Sequence, residues 1–132
     1  MAGKGPIRVG IIGQGRSGLS IHANYFSKHP KQFKIVAVTD ILKDRRERAE
    51  KEFGCETYSD HKEMAKRKDL DLVVNSLPSF LHPQGTIDML NAGHNVVCEK
   101  PLAWSMKEFR RMASAAKKSG KILAPYQQSR NA

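Results

Sequence analysis

The chain is short of cysteine, aromatic residues and long apolar runs. Its 132 residues include two cysteines, one tryptophan, three tyrosines and five phenylalanines. Cys55 and Cys98 stand far apart and match no metal-binding or redox spacing, so no metal site is expected, and buried, inert thiols in a reducing cytoplasmic setting are. No stretch approaches the roughly 18 apolar residues of a membrane span, and the polar opening Met-Ala-Gly-Lys-Gly-Pro lacks the core of a secretory signal. A soluble protein with no membrane partner is expected. Internal repeats and low-complexity tracts are missing too.

Acidic residues are the minority charge: 13 Asp and Glu against 23 Lys and Arg, for a formal net charge of +10. A clustered basic face would point to nucleic acid through salt-dependent phosphate contacts. The basic segments Lys43 to Lys51, Lys62 to Lys68 and Lys107 to Lys118 read instead as helix surfaces that mix acids with bases. No aromatic residues interleave there as a base-stacking platform would need, so solvated helix faces are expected and no nucleic-acid partner.

What is present is an apolar run, Ile7-Arg-Val-Gly-Ile-Ile12, that breaks straight into Gly13-x-Gly15-x-x-Gly18. Gly13 lets the chain leave a strand in a tight turn, Gly15 carries no side chain to hold a pyrophosphate off the backbone, and Gly18 lets the next helix lie close on the sheet. The loop Gly13, Gln14, Gly15, Arg16, Ser17, Gly18 then opens a helix whose free amides and positive dipole end suit an anion. Leu19, Ala23 and Phe26 share one face of that helix. Lys34 to Thr39 follows as a buried parallel strand ending at Asp40, about 20 residues past the glycines, where a carboxylate can accept from both hydroxyls of a cofactor ribose. It would also repel a 2'-phosphate, which favours NAD over NADP. Ile41 follows at the same strand end, and Arg45 and Arg46 read either as a solvated helix start or as guanidinium groups stacked over an adenine.

The alternation continues to the end of the chain. A helix is predicted from Asp44 to Phe53, closed by Gly54, then an extended piece from Glu56 to Tyr58 and a charged helix from Asp60 to about Lys68. Asp71 to Asn75 is a fourth strand, Ser76 to Leu81 a loop, and Pro83 opens a helix that Gly93 closes. Asn95 to Cys98 is a fifth strand. Ser105 is an N-cap for a long helix whose apolar stripe is read as Met106, Phe109, Met112 and Ala116, with Gly120 as its stop and Lys121 to Ala124 as a sixth strand. Strand and helix in alternation predict a doubly wound α/β fold, an open and mostly parallel sheet with helices on both faces. Ligands lie beyond the carboxyl ends of such strands, which marks Gly13 to Gly18, Asp40, Ser76-Leu77-Pro78 and Glu99-Lys100-Pro101. Lys100 there reads either as a substrate-facing proton-transfer group or, with Glu99, as a surface ion pair.

These residues resemble the N-terminal half of the Gfo/Idh/MocA oxidoreductases, relatives of glucose-fructose oxidoreductase and inositol dehydrogenase. The likeness rests on the glycine loop, Val-Ala-Val-Thr-Asp40, Pro78-Ser79-Phe80-Leu81-His82, Ala92-Gly93-His94-Asn95-Val96 and above all Cys98-Glu99-Lys100-Pro101-Leu102-Ala103. It implies a catalytic Lys100 reaching toward substrate and nicotinamide ribose, Glu99 steadying that ribose, and Pro78 near the nicotinamide with His82 beside it. His82 reads equally as a capping or packing group. Leu77 and Ser79 flank Pro78 where the family often carries Thr and Asn. Tyr126-Gln127-Gln128-Ser129-Arg130 is similar to the family's crossing into a second domain, with Gln128 added to the cofactor set. The resemblance thus implies a flexible segment at 1–6, a dinucleotide-binding domain at 7–125 and the start of a crossing at 126–132, without the substrate domain. It further implies a nicotinamide dinucleotide and a sugar or polyol substrate, with self-association through the face that the substrate domain would cover. A non-catalytic NAD(H)-sensing or interaction module stands as the alternative.

Overall fold

A computed structural model describes residues 5–13, 24–98 and 103–125. The described elements are β1 (Ile7–Ile12), α1 (Asn24–Ser27), β2 (Phe33–Thr39), α2 (Lys43–Phe53), β3 (Glu56–Tyr58), α3 (His61–Met64), β4 (Leu72–Asn75), α4 (His82–Asn91), β5 (Val96–Cys98), α5 (Met106–Ser119) and β6 (Leu123–Pro125). A short 3-10 turn at Ser79–Leu81 leads into α4. The strands form one sheet in the order β3-β2-β1-β4-β5-β6, and every pairing is parallel. That is the doubly wound order, with its reversal between β1 and β4.

Central strands buried on both faces carry continuous apolar runs, and successive side chains feed opposite layers. Val9, Ile11, Ile35, Val38 and Val74 pack on one face with Phe26 of α1 and Ala49 of α2. Ile12, Ala37, Val73 and Val96 pack on the other with Met64 of α3, Met89 and Leu90 of α4, and Met112 and Ala115 of α5. Two neighbouring crossovers run left from β1 and two run right from β4, which puts α1 and α2 on one side and α4 and α5 on the other.

Two expectations are corrected. The third helix is a single turn, His61–Met64, and does not run on to Lys68. Beyond Met64 the backbone tightens: Lys66 N donates to Glu63 O at 3.2 Å and Arg67 N to Met64 O at 3.0 Å, bonds of the shorter 3-10 type. The Arg67 guanidinium is drawn into a two-pronged bond with Asp69, at 2.8 and 2.6 Å, and also meets Glu56 and Tyr58 Oη. This pair holds the Asp69 carboxyl below its usual pKa, chiefly through the Arg67 hydrogen bonds.

The buried stripe of α5 is also different. Met106 is 61% exposed and Phe109 43%, while Met112 and Ala115 are buried and Ala116 is half-buried. Residues advance about 100° around a helix, so each step of three lags about 60° behind a full turn. Phe109 therefore stands about 60° and Met106 about 120° away from Met112, rotated off the sheet. The ends of α5 follow the reading: Ser105 Oγ accepts from Glu108 N at 3.1 Å, and Gly120 N donates to Ala116 O at 3.0 Å. Both thiols are buried, Cys55 in the α2 layer and Cys98 at the end of β5. No helix among the described residues is long and apolar enough to cross a membrane.

Candidate functional site

The carboxyl ends of β2, β1, β4 and β5 lie side by side, because Ile12 pairs with both Thr39 and Asn75, and Asn75 pairs with Cys98. Gly13 leaves β1 with φ +80, and its amide donates to Thr39 O at 2.7 Å. A β-carbon there would fall 2.9 Å from Leu77 Cα, Leu77 N and Ser76 O, so the exit of β4 occupies the space of a side chain. Only glycine meets both demands. Across the same gap Ser76 N donates to Ile12 O at 2.8 Å. Ser76 Oγ is buried and finds no hydrogen-bond partner among the described residues. A buried hydroxyl left so beside Gly13, which has no side chain, suits a polar ligand at this switch point.

One strand away Asp40 is buried at the end of β2. Its amide donates to Tyr58 O at 3.0 Å, and its Oδ1 accepts from Leu42 N at 2.9 Å, an Asx turn that carries the chain into α2. Oδ2 lies 3.7 Å from Arg45 Nη1. Arg46 Nη1 donates to Asp40 O at 2.8 Å and to Ile41 O at 3.1 Å, which fixes the turn from below. The two arginines read together from sequence thus divide: Arg46 braces backbone, while Arg45 stays 41% exposed beside the carboxylate. Ile41 is exposed at this edge, an apolar surface next to Asp40.

On the far side of the switch point a polar bracket sets the 76–81 loop. Asn75 is fully buried at the last position of β4. Its Nδ2 donates to His82 O at 3.1 Å and to Thr86 Oγ1 at 3.0 Å, and its Oδ1 accepts from Leu77 N at 3.1 Å. His82 is buried too, and its Nε2 donates to Leu77 O at 2.7 Å. The geometry makes His82 a group that holds Leu77 in place. Gly85 completes the bracket, since a β-carbon on it would lie 2.7 Å from Leu77 Cδ1 and 3.0 Å from Asn75 Nδ2. Pro78 is exposed beyond it.

Sequence reasoning missed Asn75, Thr86 and Gly85. The available signal was an amide closing an otherwise apolar strand, which needs partners once buried. Gly13, Asp40, Ile41, Arg45, Ser76, Leu77, Pro78 and His82 are gathered along this edge. Gln14, Gly15, Arg16, Ser17, Gly18, Glu99, Lys100 and Gln128 lie outside the described residues, as do Leu19 and Ala23.

Residues 7–127 match the profile of a family described as "Oxidoreductase family, NAD-binding Rossmann fold", the Gfo/Idh/MocA group. The chain belongs to this family. Among curated Gfo/Idh/MocA relatives, the D-glucoside 3-dehydrogenase of Escherichia coli is 35% identical over 120 residues, covering 90% of this chain and 34% of that protein. A scyllo-inositol 2-dehydrogenase (NADP(+)) of Bacillus subtilis is 36% identical over 94 residues, covering 70% of this chain and 29% of that one. The crystal structure of the WlbA dehydrogenase from Bordetella pertussis in complex with NADH and UDP-GlcNAcA superposes with a TM-score of 0.90 at 30% identity, covering 97% of this chain and 37% of that one. The chain spans about a third of the length of these family members.

Proposed function

We propose that this chain is the cofactor-binding part of a cytoplasmic dehydrogenase that exchanges a hydride between a nicotinamide dinucleotide, NAD in preference to NADP, and a hydroxyl of a sugar, cyclitol or similar polyol. The observation that carries the reading is the juxtaposition at the strand-order reversal of Gly13, the buried Asp40 carboxylate and the Ser76 hydroxyl, which has no hydrogen-bond partner among the described residues. The residue types fit the ligand: a glycine-rich turn for a diphosphate, a hydroxyl beside it, and an acceptor pair for a ribose.

In this reading Gly13 to Gly18, with Gln14, Arg16 and Ser17, hold the pyrophosphate on backbone amides. Asp40 takes the adenosine ribose, with Ile41 and Arg45 beside the adenine. Ser76, Leu77, Pro78 and His82 border the nicotinamide end, with Glu99 and Gln128 adding contacts there. The bound cofactor supplies the hydride acceptor. Lys100 orients the substrate hydroxyl and exchanges its proton, a task suited to an amine whose pKa falls on desolvation. The domain runs from 7 to 125, with 126–132 leading toward a substrate-binding part.

These 132 residues bind the cofactor with little or no turnover, because hydride transfer needs a substrate held against the nicotinamide and shielded from water. The exposed apolar groups Phe80 and Trp104 favour self-association where a substrate domain would sit. Titration calorimetry with NAD and NADP, followed by a polyol panel with NAD, tests the reading. Saturable NAD binding, weaker NADP binding and negligible reduction are expected. No binding of either dinucleotide would overturn the cofactor site, and rapid polyol oxidation would overturn the half-site argument.

A further inference from the structure

The cations of α5 are distributed unlike those of the other basic segments. In α2 the bases alternate with Asp44, Glu47, Glu50 and Glu52, and Arg67, Arg8 and Lys66 each meet a carboxylate. Helix α5 has five Lys and Arg against the single Glu108, whose carboxylate is taken up by Trp104 N at 3.0 Å. Lys107, Arg110, Arg111 and Lys118 line a groove of about 470 Å³ between α4 and α5. None of the four pairs with a carboxylate among the described residues. Lys107, Arg111 and Lys118 recur at helical spacing along one face, an arrangement that weakens an isolated helix by like-charge repulsion and is relieved by a matching anion.

The groove is not purely ionic. Its floor is aliphatic, formed by buried Ile87 of α4 and Ala115 of α5, and Asn91 and Ser114 add neutral hydrogen-bonding groups at its sides. We propose that this groove docks an acidic protein segment, a helix or turn with carboxylates flanking one aliphatic side chain that seats on Ile87 and Ala115. Carboxylates meet the four cations at the rim while the aliphatic group covers the floor, the arrangement of a helix laid into a groove between two others. A nucleic-acid track is disfavoured because the cations rim a recess and, among the described residues, no aromatic side chain lines it for stacking. A small anion is disfavoured because all four cations are exposed, with no buried charged group to fix one.

The test uses the whole chain and a fluorescein-labelled helical peptide with glutamates around a single leucine, read by anisotropy at physiological salt. Saturable binding is expected, and Arg111→Glu with Lys118→Glu weakens it about tenfold or more. Reversal of the exposed Lys28 and Lys31 to Glu, the same change in net charge, leaves it intact. Neutralisation by Lys107→Gln with Lys118→Gln gives a smaller loss in the same direction, which guards against misfolding of the reversal variant, as does far-UV circular dichroism. No binding of the peptide, equal loss in the Lys28/Lys31 control, or tighter groove-dependent binding of labelled duplex DNA would each overturn the proposal.

Discussion

Gly13 and Leu77 meet backbone to backbone across the gap between β1 and β4, close enough that a β-carbon on Gly13 would lie 2.9 Å from Leu77 Cα and N. The contact puts the exits of two strands at van der Waals distance. Gly13→Ala must both hold an unfavourable φ of +80 and push the Leu77 backbone away. A stability loss of about 1–3 kcal/mol is expected from urea unfolding. Dinucleotide binding measured by calorimetry falls further than stability does, because the displaced loop carries Ser76. Binding at the parent level would show that the turn does not touch the cofactor.

Asn75 is the second point where one side chain organises several segments. It satisfies His82 O, Thr86 Oγ1 and Leu77 N at once from a fully buried position. Asn75→Leu removes these partners without leaving a cavity and strands buried polar groups, at a cost of about 1–3 kcal/mol for each one left unsatisfied. Asn75→Asp keeps the acceptor for Leu77 N but loses both donors and buries a charge, so it is expected to be at least as destabilising. Equal thermal midpoints for parent and both variants would remove Asn75 from its bracing role.

The legible parts of this molecule are those whose cause is local. The central strands show as short apolar runs, and Gly13 and Asp40 stand out because each closes such a run, a position defined by neighbours in sequence. The bracket was not legible, since Asn75 and Thr86 are partners only once α4 has packed on β4, and Gly85 matters only because that packing is close. The stripe of α5 was misread for a related reason. Met106 and Phe109 are apolar at regular spacing, but a spacing of three drifts around the helix, and the sheet selects Met112 and Ala115 instead. The bond from the His82 ring to Leu77 O was equally illegible, because it forms only once the start of α4 has packed against the 76–81 loop.

Asp40 and Arg45 set up the test of cofactor preference. The carboxylate Oδ2 lies 3.7 Å from Arg45 Nη1, so the acid that would accept from a ribose also restrains the cation that could meet a 2'-phosphate. Asp40→Ser removes the repulsion and releases the guanidinium. The ratio of NADP to NAD affinity is expected to rise about tenfold or more, with Arg45→Ala in the same background cancelling the gain. An unchanged ratio would remove Asp40 from the ribose site.

Cys55 gives a pH dependence whose sign follows from burial. The thiol lies between α2 and β3, and desolvation, the largest contribution, pushes its pKa from 9.0 up to about 11. The unfolded chain therefore releases this proton first as pH rises through about 9, while the folded chain keeps it until about 11. Over that interval the unfolded state binds fewer protons than the native one, so stability falls with rising pH and the loss is complete above the folded value. Cys55→Ala lacks this increment, and its urea midpoint should fall less steeply than that of the parent between pH 9 and 11. The same burial predicts that thiol reagents modify Cys55 at neutral pH only after denaturation. Parallel pH profiles for parent and variant, or rapid labelling of Cys55 in the native protein, would contradict the desolvated thiol.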